Sequence, residues 1–258
     1  GIPIVPHYLS GIILNQGDRI MIDKMVGKTE VALYGLAYSI GMLVQLFISG
    51  MNSALTPWMY SKIKKGDIRS MRKVLQLLSI VVVGIAVALM LISPEMVLIF
   101  GSPKYREAVY VIPPVAASVF FIFIYNILSM PQFYYEKTQF LMAASMAAAG
   151  ANVVLNFIFI RLFGYIAAGY TTLACYMLYS VGHYIVSKRI LVNEGIQENL
   201  MNPGFLLACS VFLIGASIIC NLIFPYRILR YAILLASAGL VFWKKELLLK
   251  TMADIRKK

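Results

Sequence analysis

Apolar stretches long enough to cross a bilayer alternate with short polar connections along the whole chain. Spans are expected at roughly 2–22, 31–58, 71–93, 108–130, 139–160, 165–187, 204–224 and 228–247, each near the ~20 residues a membrane helix needs. No period-2 alternation appears, and backbone polar groups in lipid must be satisfied within the segment, so all read as helices. The pattern predicts an all-α, polytopic membrane helical bundle with about eight transmembrane helices. Breaks fall at Val26-Gly27-Lys28, Lys65-Gly66-Asp67, Ser93-Pro94, Phe163-Gly164 and Asn202-Pro203, where glycine and proline punctuate helices. The longest polar connection, 188–203, has room only for a short surface helix.

Polar positions inside the apolar runs carry the functional signal. Asp18 and Arg19 interrupt the first span, and a charge near the centre of a membrane helix costs about 2.5–3.5 kcal/mol on insertion scales. His7, Gly11, Asn15 and Asp18 recur every three or four residues and share one face of that span. Tyr38, Gly41, Gln45, Ser49, Asn52 and Thr56 do the same on the second. Two aligned polar faces either line a hydrated lumen or pack through interhelical hydrogen bonds. Neighbours on a helix point about 100° apart, so Asp18 and Arg19 are poorly placed to pair with each other. Each is expected to pair with another helix, unless Arg19 snorkels to the interface. The fourth span adds Tyr125 and Asn126 between Pro113-Pro114 and Pro131. The fifth and sixth carry Ser145, Asn152 and Asn156, and Gly169, Thr172, Tyr176, Tyr179 and His183, stripes that read chiefly as helix contacts. His7 and His183 read as interface residues, and the last two spans as lipid-facing and nearly featureless.

Composition agrees with the pattern. The chain is 60% hydrophobic and 13% charged, with a mean hydropathy of +0.81. The net charge of +12 is not a nucleic-acid signal, because lysines and arginines cluster between spans as positive-inside bias requires. Lys62, Lys64, Lys65, Arg69, Arg72, Lys73, Lys137, Lys188 and Arg189 fall on one side with the basic tail, 244–258. That side is expected to be cytoplasmic, with the C-terminus there. Cys175, Cys209 and Cys220 share no motif, and no metal site or cofactor is expected. No phosphate loop, nucleophile elbow or His-Glu-x-x-His motif is present, so an enzyme is not expected. The chain opens without Met inside an apolar run and reads as the C-terminal portion of a longer protein.

Gly17-Asp18-Arg19-Ile20-Met21-Ile22, followed by Val31-Ala32-Leu33-Tyr34-Gly35-Leu36-Ala37-Tyr38-Ser39, resembles polysaccharide flippases of the Wzx type. These belong to the multidrug/oligosaccharidyl-lipid/polysaccharide exporter superfamily. Leu33-Tyr34-Gly35 departs from the more usual Gly-x-Tyr order. The resemblance implies a transporter lobe of six helices over 1–190, two accessory helices with a basic tail over 191–258, and a missing N-terminal lobe of the same protein. It implies flipping of an undecaprenyl-diphosphate-linked oligosaccharide across the bacterial cytoplasmic membrane by alternating access. On that reading Arg19 attracts the diphosphate. Asn15, Asp18, Tyr38, Gln45, Ser49, Asn52, Tyr125 and Asn126 border the lumen. Partners would be the lipid-linked oligosaccharide, membrane lipids, and glycan polymerase or glycosyltransferases. The alternatives are a drug or metabolite cation antiporter of the same superfamily and a non-transporting scaffold for envelope assembly.

Overall fold

The computed structural model describes residues 4–243, apart from the side chains of residues 4–8, 15, 238 and 240–243. The described residues form nine α-helices and one 3₁₀ segment, with no strand. They are α1 (Ile4–Met25), α2 (Lys28–Gly41), α3 (Leu43–Lys64), α4 (Ile68–Phe100), the 3₁₀ segment Pro103–Val111, α5 (Ile112–Tyr134), α6 (Thr138–Phe163), α7 (Ile166–Asn193), α8 (Pro203–Ile223) and α9 (Arg227–Trp243). Among the described residues, five stretches are long and apolar enough to cross a membrane: 28–64, 68–100, 103–134, 138–163 and 203–223. α1 and α7 are not among them, because they carry the polar side chains that the interior uses.

Three local features differ from the expected spans. The second span is two helices, interrupted at Met42 (φ −82°, ψ 0°). Here Gly41 is pressed against the start of α5, and a Cβ on it would lie 2.6 Å from Val115 Cγ1. The third span runs on through Pro94 to Phe100, since a single internal proline bends a membrane helix without ending it. Its 33 residues reach about 50 Å at 1.5 Å per residue, so α4 outruns the ~30 Å hydrocarbon core. The fourth span begins as 3₁₀, with Pro113 and Pro114 in the first turn of α5, where missing N–H donors cost least.

Other ends follow the sequence closely. Gly66 (φ 68°) closes α3, with its N–H donating to Ile63 O and that of Asp67 to Lys62 O. That pair of bonds is a Schellman closure requiring a left-handed residue. Asp67 then caps α4 by accepting from the Ser70 N–H. Asn202 caps α8, with Pro203 next.

α5 is the central helix: Val115, Ala116, Ala117, Val119, Phe120 and Phe123 are all fully buried. Around it stand α2, α3, α4, α7 and α8, while α6 packs between α7 and α1. The outward faces are apolar; Leu162, Leu178, Leu207, Val211 and Leu222 stand open, as they must against lipid. One end of the bundle gathers the basic connections. Arg69 Nη2 pairs with Glu198 at 3.0 Å, and Arg72 Nε donates to Asn199 O at 2.7 Å. This joins the start of α4 to the 194–202 connection, beside Lys188 and Arg189 at the end of α7. Residues 188–193 continue α7, and 194–202 form no helix.

The last two helices are not featureless. Arg230 on α9 is 3% exposed and grips Glu95 of α4 with two parallel bonds of 2.8 Å. It also donates to Leu91 O at 2.6 Å, and Tyr231 donates to the same carboxylate at 2.9 Å. A fork-to-fork arginine–carboxylate pair is geometrically specific. Nothing local in the sequence marks this pair, because Glu95 and Arg230 lie 135 positions apart.

Candidate functional site

Asp18 lies on the inner face of α1 with 0% exposure. An isolated buried carboxylate is costly, and this one is surrounded by donors. Tyr34 OH of α2 donates to Oδ2 at 2.5 Å, and Thr172 Oγ1 of α7 donates to the same oxygen at 2.7 Å. Asn156 Nδ2 of α6 donates to Oδ1 at 2.5 Å. Asn156 also donates to Asn152 Oδ1 at 3.1 Å and accepts from Thr171 Oγ1. Four helices therefore meet at one carboxylate, which acts purely as an acceptor.

Arg19, one residue on, does not join this network. It is half-buried, donates to Gln16 Oε1 at 3.2 Å, and holds its guanidinium carbon 5.2 Å from the Tyr38 ring centroid, within cation–π range. Gly35 lies alongside it, where a Cβ would sit at ordinary contact distance, 3.9 Å from Arg19 Nε. That Nε is buried without a hydrogen-bond partner. Asp18 and Arg19 thus divide as expected of neighbours on a helix, the acid turned to the interior and the base to a more open position against α2. The two sequence segments that carried the family resemblance touch each other here, through Asp18–Tyr34, Arg19–Gly35 and Arg19–Tyr38.

The other candidates are placed as follows. Tyr38 is buried, 5.8 Å from Tyr34 by ring centroids, and near enough to Tyr125 to interact electrostatically. Tyr125 is half-buried in an aromatic row with Tyr176 at 6.2 Å, Tyr179 at 4.6 Å and His183 at 5.8 Å. Arg19, Tyr38 and Tyr125 therefore form one series. Gln45 is half-buried with Oε1 unpartnered. Ser49 is exposed and returns its hydroxyl to Gln45 O at 2.9 Å. Asn52 and Asn126 are half-buried, their carbonyls accepting from Thr56 and Ser129. Among the described residues no hydrogen bond joins Gln45, Ser49 or Asn52 to Arg19. The side chains of His7 and Asn15 lie outside the described residues, as does the basic tail, 244–258.

Sequence reading missed how the stripes on α6 and α7 connect. Asn152, Asn156 and Thr172 were read as packing, and they are buried between helices; what they surround is Asp18. The signal was available, since a buried acid needs donors and these are the donors at matching depth. His183 is not an interface residue. It is fully buried, its Nδ1 bonds Gln132 Nε2 at 2.7 Å, and its ring meets Tyr179 edge-on at 4.4 Å. Ser145 and Tyr179 close the same region at 2.7 Å.

Long apolar helices, lipid-compatible outer faces and a polar interior define a multi-pass membrane protein. Residues 3–158 match the MatE family, so the chain belongs to that family, whose members are membrane transporters. It is similar to "Lsg locus putative protein 1" of Haemophilus influenzae, 29% identical over 154 residues, which cover 57% of this chain and 37% of that protein. It is also similar to an "Uncharacterized membrane protein" of the same organism, 31% identical over 147 residues, 54% of this chain and 35% of that protein. The chain thus spans little more than a third of the relatives it matches. No solved structure matches it at a significant level.

Proposed function

We propose that this chain contributes one lobe, over 1–190, and an accessory helix pair, over 191–258, to a flippase that carries an undecaprenyl-diphosphate-linked oligosaccharide across the bacterial cytoplasmic membrane. The carrying observation is Arg19: a half-open guanidinium held against the Tyr38 ring, with one Nη donating to Gln16 and, among the described residues, no acidic partner. A fixed arginine with spare donors suits a diphosphate, whereas an organic cation would be repelled by it. Tyr38 and Tyr125 continue the row from Arg19 and offer ring faces for sugars, and Gln45 adds an unused acceptor. Asn15, Ser49, Asn52 and Asn126 complete the proposed lumen lining. Asp18 does not touch substrate in this reading; it fixes the helix that presents Arg19. The basic end of the bundle faces the cytoplasm, in keeping with positive-inside bias, and the C-terminus lies on that side. A partner lobe of the same protein supplies the facing wall, and glycan polymerase or glycosyltransferases act before and after it.

The test uses the complete protein in a strain whose surface polysaccharide depends on it. Arg19→Ala is expected to lower surface glycan at least tenfold at unchanged protein level, and Arg19→Lys to retain part of it, since a lysine keeps charge but loses the planar fork. Full export by Arg19→Ala would overturn the assignment. Resistance to cationic drugs conferred by the intact protein, with no change in glycan, would replace it with antiport.

A further inference from the structure

Two neighbouring cavities share Tyr184, one lined by apolar side chains and the other reaching Lys188 and Arg189. The first, about 290 Å³, is a groove between α5, α7 and α8 lined by Phe121, Ile124, Met177, Tyr184, Leu207 and others. Its serine hydroxyls are internally satisfied: Ser180 donates to Phe121 O and Tyr176 O, and Ser210 to Leu206 O. The groove is therefore dry and apolar. The second, about 530 Å³, continues past Tyr184 along α7 to Lys188, Arg189 and Asn193. Lys188 and Arg189 are exposed, and among the described residues neither forms an ion pair.

The dimensions match one leaflet. From Met177 to Arg189 is 12 residues of helix, about 18 Å at 1.5 Å per residue, against about 15 Å for half the hydrocarbon core. The surfaces flanking the groove, Leu178, Val181, Leu207 and Val211, are all more than half exposed and apolar, so the groove opens onto lipid. We propose that it is a resident site for an anionic phospholipid, with an acyl chain between α7 and α8 and the phosphate held by Lys188 and Arg189. Charge complementarity chooses this occupant: a zwitterionic headgroup brings its own ammonium and adds no net charge to offset Lys188 and Arg189, and an apolar helix leaves them unanswered. Cations this close to a membrane surface favour anionic lipid. The inference does not depend on what the protein transports.

Native mass spectrometry of delipidated full-length protein, with phosphatidylglycerol or phosphatidylethanolamine added at equal concentration, tests it. One phosphatidylglycerol is expected to be retained at least tenfold better than phosphatidylethanolamine. Lys188→Ala/Arg189→Ala is expected to weaken retention about 30-fold, from the usual contribution of two interfacial cations. Ser210→Trp, which fills the groove without altering charge, is expected to weaken it too. Lys64→Ala/Lys65→Ala, removing two exposed cations at the same end, should not. Equal retention of both lipids, equal loss in the control, or no effect of Ser210→Trp would overturn the proposal. So would displacement by millimolar inorganic phosphate, which would mean a free-anion site, or by lower concentrations of undecaprenyl phosphate, which would give the groove to a prenyl tail.

Discussion

Asp18 is where the interior polar order converges, and its energetics are asymmetric. Each interhelical hydrogen bond in a membrane protein averages about 0.6 kcal/mol, yet a buried donor stripped of its acceptor loses about 1–3 kcal/mol. Thr172→Val removes one donor and leaves the carboxylate two others, so about 1 kcal/mol is expected. Asp18→Ala strands Tyr34, Asn156 and Thr172 together, and a loss of about 2–4 kcal/mol is expected. Thermal midpoints of the full-length protein in detergent should fall in that order. An Asp18→Ala midpoint no lower than that of Thr172→Val would mean that the carboxylate does not organise its neighbours. Sequence reading found Asp18 and Arg19 readily, since charges in apolar runs stand out. It could not tell that one turns inward and the other toward Tyr38, because both directions satisfy the same helical spacing.

At the scale of elements, the interruption between α2 and α3 is the sharpest departure from the expected spans. Nothing in the local pattern marks it: Gly41 sits in the polar stripe and looks like any small membrane residue. Its reason is tertiary, the close approach of Val115. Gly41→Ala is expected to destabilise the protein by about 1–3 kcal/mol through overpacking, and Gly41→Ala combined with Val115→Ala to recover only part of that loss, since the Cβ of residue 115 would still lie 2.9 Å away. A double-mutant cycle of thermal midpoints measures the coupling; additive losses would mean that the two residues do not meet. The other helix ends were readable from local chemistry, as Gly66, Asp67, Asn202 and Pro203 illustrate, because caps are short-range.

For the whole molecule, the spread of basic residues separates two ends, and the structure brings the expected members together through Arg69–Glu198 and Arg72–Asn199. In a cysteine-free background of the complete protein, Lys137→Cys should react with an impermeant maleimide only after the cells are opened. Tyr226→Cys, at the opposite end, should react in intact cells. The reverse pattern would invert the proposed orientation. Bundle class and span order were readable because bilayer thickness imposes length and hydropathy directly. The contacts that join α9 to α4 and α6 to α1 were not, because nothing nearby in the chain records them.

The Glu95–Arg230 clamp links residues 135 positions apart, which gives it a bearing on biosynthesis. A ribosome adding about 5–20 residues per second needs roughly 7–27 s after making Glu95 before it reaches Arg230. Throughout that interval the nascent α4 carries an acid with no counterion, best kept at the headgroups where water reaches it. Pairing of Glu95 with its counterion therefore waits until α9 has been made.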